Sequence, residues 1–225
     1  MLQTNRLDMQ SLASKRSQTI LVLAVCVLIL KVTLSVVMNY RDYVPANFDS
    51  DFLQGRDGYF RGGYQWAFYA HIASGPWALL AGMILLSSRF RKRFPSYHRY
   101  LGRVQTAVVL LMITPSGLWM AMYAETGPVA GVAFATLALA TGLCVWRGWR
   151  SAIQRQFTEH RRWMLRCYVL LCSAVVLRLT TGVFTVLAID GNWTYPFAAW
   201  TSWLVPLAVL ELSFVGARRT KRRAK

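Results

Sequence analysis

Three histidines and one arginine far from any polar stretch are the residues of this chain best suited to chemistry: His71, His98, His160 and Arg178. An imidazole can ligate a metal or pass a proton, and a guanidinium grips carboxylates, phosphates and carbonyl oxygens. His98 sits in Tyr97-His98-Arg99-Tyr100-Leu101-Gly102-Arg103, and His160 in Glu159-His160-Arg161-Arg162-Trp163-Met164-Leu165-Arg166. Each His-Arg pair stands between a basic stretch and an apolar one, so the spacing predicts two imidazoles at one depth on parallel helices. Positive helix ends and neighbouring arginines disfavour a protonated ring there. A neutral imidazole is an axial ligand of haem iron, which makes His98 and His160 the candidate haem-iron ligands. The same helix ends also suit phosphate headgroups.

His71 has Ser74, Gly75, Ala78 and Gly82 on its side at helical spacing, small residues that admit another helix or a flat cofactor. Arg178 follows His160 by 18 positions, about five turns, so an unbroken helix aligns both with Met164, Cys167, Leu171 and Ala174. Counting rise puts His71 and Arg178 at a similar depth, roughly 22 Å from the inner boundary. A charge at that depth calls for an anionic or carbonyl-bearing ligand, such as a haem propionate or a quinone. The structural alternatives are a histidine bonded within a tight helix pair and an Arg178 that snorkels to Asp190 or Glu125. Glu211 has Arg166 as its expected partner. Paired carboxylates, a Walker loop, Gly-x-Ser-x-Gly and His-Glu-x-x-His are all absent from the sequence, so soluble nucleophile chemistry is not indicated.

The scaffold for these residues is specified by composition. Of 225 residues, 55% are hydrophobic and only 16% charged, against about a quarter charged in soluble domains. The net charge of +17 alone suggests nucleic acid, but a mean hydropathy of +0.34 does not accompany a nucleic-acid binder. Cys26, Cys144, Cys167 and Cys172 lie in apolar runs without a CxxC spacing, which argues against a disulfide framework or a zinc knuckle.

Six apolar runs, 20–38, 66–88, 101–124, 127–146, 163–188 and 195–216, are each long enough to cross a hydrocarbon core of about 30 Å. None alternates with period two, and lipid offers no partner for an unpaired backbone group, so the expected fold is an all-α bundle of six transmembrane helices. The domain plan is a tail over 1–19, a transmembrane domain over 20–216 and a basic tail over 217–225. The first run lacks a small-residue cleavage site and reads as an uncleaved anchor. Alternate connections and both tails hold 21 of the 26 basic residues, which predicts both termini in the cytoplasm of a bacterial inner membrane. Trp66 and Trp193 fall at the outer boundary, and Trp146, Trp149 and Trp163 at the inner one. The implied partners are the bilayer, anionic headgroups at its cytoplasmic face and a membrane partner subunit, with no nucleic acid. Ser96 and Thr158 are the expected caps of the third and fifth helices, Gly127-Pro128 starts the fourth, and Pro115 should kink the third. The outer loop 39–65 is too small for a core.

Several motifs recur in order: His71-Ile72-Ala73-Ser74-Gly75, His98-Arg99-Tyr100-Leu101-Gly102-Arg103, Ser116-Gly117-Leu118, His160 to Arg166, and Leu177-Arg178-Leu179. Over residues 60–181 the chain resembles a bacterial family of predicted multi-pass membrane proteins catalogued as a domain of unknown function. That resemblance implies no reaction. The hairpin layout is more loosely similar to the four-helix core of di-histidine b-type membrane cytochromes, but two such haems need four histidines and this chain has three. The leading expectation is haem- or quinone-linked membrane electron transfer. The alternatives are an anion- or lipid-handling transporter and a non-catalytic membrane assembly subunit.

Overall fold

Long apolar segments leave their backbone groups only one another as partners, and the chain answers with helices. The computed structural model describes the backbone of residues 2–50, 52–124 and 126–223, and the side chains of 16–50, 52–124 and 126–216. Of the charges counted above, Arg6, Lys15, Asp51, Glu125 and those of the basic tail lie outside the described side chains. Among the described residues there is no strand. Six helices are long and apolar enough to span a membrane: Arg16–Asp42, Asp57–Leu86, Pro95–Ala121, Pro128–Ile153, Phe157–Val186 and Thr194–Gly216. Leu111, Leu139 and Leu212 are 73%, 59% and 71% exposed, a surface that water would penalise and lipid accepts. The protein is embedded in the membrane.

The first span belongs to helix α1, Leu2–Met38, within a unit of its own, Met1–Tyr40. The second unit, Arg41–Lys225, carries the other five spans. Its helices are α2 (Asp57–Tyr59), α3 (Gln65–Leu86), α4 (Ser88–Arg93), α5 (Pro95–Val108), α6 (Thr114–Ala121), α7 (Pro128–Ile153), α8 (Phe157–Leu171), α9 (Ser173–Val186) and α10 (Thr194–Arg223). Helix α7 packs on α6, α8 and α10, while α3 packs on α5, α6 and α8. The core they share holds Ala78, Val109, Ile113, Cys144, Val145, Cys167, Leu170 and Trp203, so all five spans contribute to it.

Two spans bend. In the third, a π-helical turn at Val109–Ile113 precedes Pro115, which sits in the first turn of α6. The wider turn absorbs the proline ring and its missing N–H, which gives the expected kink its mechanism. The fifth span has no proline, yet it breaks into α8 and α9 at Cys172. Counting 3.6 residues per turn across that break is therefore invalid. Cys167 is buried whereas Ala174 and Arg178 are exposed, which corrects the expected single stripe from His160 to Arg178.

The helix starts also differ from expectation. Phe94 and Gln156, not Ser96 and Thr158, hold the N-cap positions of α5 and α8, and neither makes a side-chain cap bond. Pro95 occupies the first turn of α5 instead. The helices thereby begin inside the basic stretches, and His98 and His160 each become the fourth helical residue. Gly127 and Pro128 open α7 as the sequence suggests, with Gly127 at φ +87°, a conformation that favours glycine.

The 39–65 connection does build a small core, contrary to the expectation from its length. Leu53, Phe60, Tyr64 and Phe68 are buried together under Tyr43, Phe48, Phe52, Tyr59 and Tyr123. Arg56, 6% exposed, lies at the centre. Its Nε donates to the Phe52 carbonyl, and its Nη1 donates to the Tyr59 hydroxyl and the Tyr123 carbonyl. Its guanidinium carbon stands 4.6 Å from the Phe52 ring centroid. The loop obtains its apolar volume by borrowing rings from the ends of two spans, and that is why its own length misleads.

Candidate functional site

His71 lies on α3, half-buried, with its Nδ1 3.0 Å from Ser116 Oγ of α6. The Ser116 hydroxyl donates to the Met112 and Ile113 carbonyls. Its oxygen therefore accepts from the ring, which places a proton on Nδ1 and leaves Nε2 with the lone pair of the neutral imidazole. Gly117 passes close by, where an added Cβ would sit 3.6 Å from Cε1 of the ring. The sequence offers Ser116 only as part of the Ser116-Gly117-Leu118 motif, without its role as the partner of His71, although a hydroxyl beside glycine and proline in an apolar span is a readable signal.

The small residues beside His71 divide in two. At Gly82 a Cβ would fall 2.6 Å from the Tyr168 ring, and the Ala78 carbonyl accepts a bond from Gln105 Nε2 at 3.0 Å. Protein thus fills that part of the stripe. A Cβ on Gly75, one turn from His71, would meet nothing within 4 Å, and the same is true of Gly182, one turn from Arg178.

Arg178 is exposed on α9, where its Nη1 donates to the Ala174 carbonyl at 3.1 Å. It forms no ion pair among the described residues, Asp190 included, and Glu125 lies outside them. It is nonetheless the charged group that acts on the His71 ring through space. Helix α9 packs on α10 and α8, and α3 on α8.

His98 and His160 occupy the end of the unit that carries the basic connections. His160 Nδ1 is 2.8 Å from the Gly148 carbonyl of α7. A carbonyl can only accept, so Nδ1 carries the proton and Nε2 is free to bind. Metal-bound histidines are commonly oriented by a second bond of this kind. His98 Nδ1 is buried without a hydrogen-bond partner, and its ring stands 6.5 Å from that of Phe90. The charges that act on His98 are those of Arg91, His160 and Arg99, so the two imidazoles are electrostatic neighbours. No group of three or more His, Cys, Asp or Glu side chains suited to a metal ion occurs among the described residues.

Arg166 and Glu211 form the expected pair, with Arg166 Nη2 donating to Glu211 Oε2 at 2.9 Å and Nε donating to Oε1.

Residues 68–214 match the model of a family described as a predicted membrane protein (DUF2306), and the chain belongs to that family. Comparisons with curated proteins and with solved structures gave no match.

Proposed function

We propose that this DUF2306 protein is a redox subunit that binds a quinone beside His71 and Arg178, with both termini on the cytoplasmic side of a bacterial inner membrane. The observation that supports this reading is the His71–Ser116 bond. It directs one ring nitrogen into the protein and leaves the other for a ligand, while Arg178, which forms no ion pair among the described residues, acts on the same ring. A bound quinone supplies carbonyl oxygens and a couple that moves electrons together with protons. Arg178 would donate hydrogen bonds to such an oxygen, and the Nε2 lone pair of His71 would accept a hydrogen bond from a hydroxyl of the reduced form. Ser116 fixes the tautomer and the direction of the ring. The test is binding of a short-chain quinone to the full chain in nanodiscs, measured by isothermal titration. His71→Gln and Arg178→Gln should each weaken binding about tenfold, the worth of one charge-assisted hydrogen bond. Unchanged affinity in both variants overturns the reading.

The bond from His160 to the Gly148 carbonyl favours a second reading, in which His160 and His98 hold a b-type haem. A bound haem supplies a one-electron couple. In that reading Gly148 orients the His160 ring, and Arg91 and Arg99 would offer guanidiniums to the haem propionates. The purified protein should show a Soret band that shifts on reduction with dithionite and is lost in His160→Ala. A colourless, folded protein removes this reading and leaves the first intact.

A further inference from the structure

Where α7 ends and α8 begins, two cavities share a wall. One, of about 480 Å³, is lined by Arg147, Arg150, Ser151, Gln154, Gln156 and Glu159 between the rings of Trp146 and Trp163. The other, of about 270 Å³, shares Trp146, Arg150 and Gln154 with it and adds Trp149 and Ile153. The first is thus rich in hydrogen-bond donors and cations, whereas the second presents mainly indole and aliphatic surface.

The charge balance of the first cavity favours an anion. The Arg147 guanidinium lies 5.4 Å from the Trp163 ring centroid and that of Arg150 lies 5.7 Å from the Trp146 ring centroid. Neither forms an ion pair among the described residues. The acid that lines the cavity, Glu159, is engaged by Arg162 at 2.7 Å. Both guanidiniums therefore stand over aromatic rings with no carboxylate of their own among the described residues, and such groups receive phosphate oxygens.

The chain around the cavities is also built to stay in place. The Gln156 N–H donates to the Ser151 carbonyl at 2.9 Å and the Arg155 N–H to the Ala152 carbonyl. This closes α7 with a six-to-one turn, and Arg155 takes φ +59° where glycine is usual. Tryptophans at the end of a transmembrane helix mark the level where headgroups meet acyl chains. Trp149 and Ile153, 44% and 64% exposed, continue the polar cavity along the apolar surface of α7.

We propose that these paired cavities bind one acidic phospholipid, its phosphate on Arg147 and Arg150 and the start of its acyl chains along Trp149 and Ile153. The amphipathic pairing selects a lipid over a free anion, because inorganic phosphate would leave the apolar cavity unfilled.

The test is native mass spectrometry of the full chain, titrated with phosphatidylglycerol, phosphatidylcholine or inorganic phosphate. Wild-type protein should retain one phosphatidylglycerol about tenfold more tightly than phosphatidylcholine, and millimolar phosphate should not displace it. Arg147→Gln/Arg150→Gln should abolish that preference. Arg89→Gln/Arg93→Gln, which removes the same charge from another basic connection, should preserve it. Arg147→Lys/Arg150→Lys, which keeps the charge in the fold, should restore only part of it. The proposal is overturned if the glutamine variant keeps the preference, if the control variant loses it equally, or if phosphate alone displaces the lipid.

Discussion

Arg166 on α8 and Glu211 on α10 meet through two hydrogen bonds across 45 residues of sequence. The arginine also packs over Trp163 and Phe214, with its guanidinium carbon 4.7 and 5.3 Å from their ring centroids. One ion pair thus ties the basic end of the fifth span to the sixth, and it does so within an aromatic clamp. The Glu211 side chain is 43% exposed, so part of the attraction is screened. Glu211→Ala should lower stability by about 1–2 kcal/mol, measured as a drop in melting temperature in detergent. Arg166→Met/Glu211→Leu should recover much of that loss, because it removes both charges together.

Arg56 is the centre of the aromatic cap, and its removal strands the groups it satisfies. Arg56→Met keeps the volume but leaves the Tyr59 hydroxyl and the Phe52 and Tyr123 carbonyls without that donor. A loss of about 3 kcal/mol of local stability is expected. Hydrogen exchange should show faster exchange over residues 52–64 and little change in α7 and α8.

Two glycines two turns apart on the same side of α3 should respond in opposite senses. Gly82→Ala drives a methyl against the Tyr168 ring edge and should destabilise by about 1–3 kcal/mol. Gly75→Ala enters open space in a helix and should be neutral or stabilising by up to about 1 kcal/mol. Melting curves of the two variants, compared side by side, check the assignment of the filled and open parts of the stripe.

Orientation is testable without any assumption about function. Reporter fusions at either tail, or labelling of single cysteines in spheroplasts, should place both tails and the α7–α8 connection in the cytoplasm. Labelling of a cysteine introduced at Asn47 should occur from the outside. The opposite pattern would break the charge argument for topology.

Membrane residence and helix number are legible from residue order alone, since one local quantity, unbroken apolar length, governs both. The Arg166–Glu211 pair is legible for a similar reason: a charge near the end of an apolar run must find the opposite charge on a neighbour at equal depth. The partner of His71 was not legible, because Ser116 meets it only once two spans are packed face to face.

The order of residues set the solvent and the number of spans, because both follow from transfer energies that add along the chain. Packing alone settled which small residues are filled, where the fifth span breaks, how a short loop gathers a core around Arg56, and which ring nitrogen of His71 and of His160 is engaged. Those outcomes depend on contacts between segments distant in sequence, where steric fit and hydrogen-bond partners are fixed in three dimensions and have no signature in local composition.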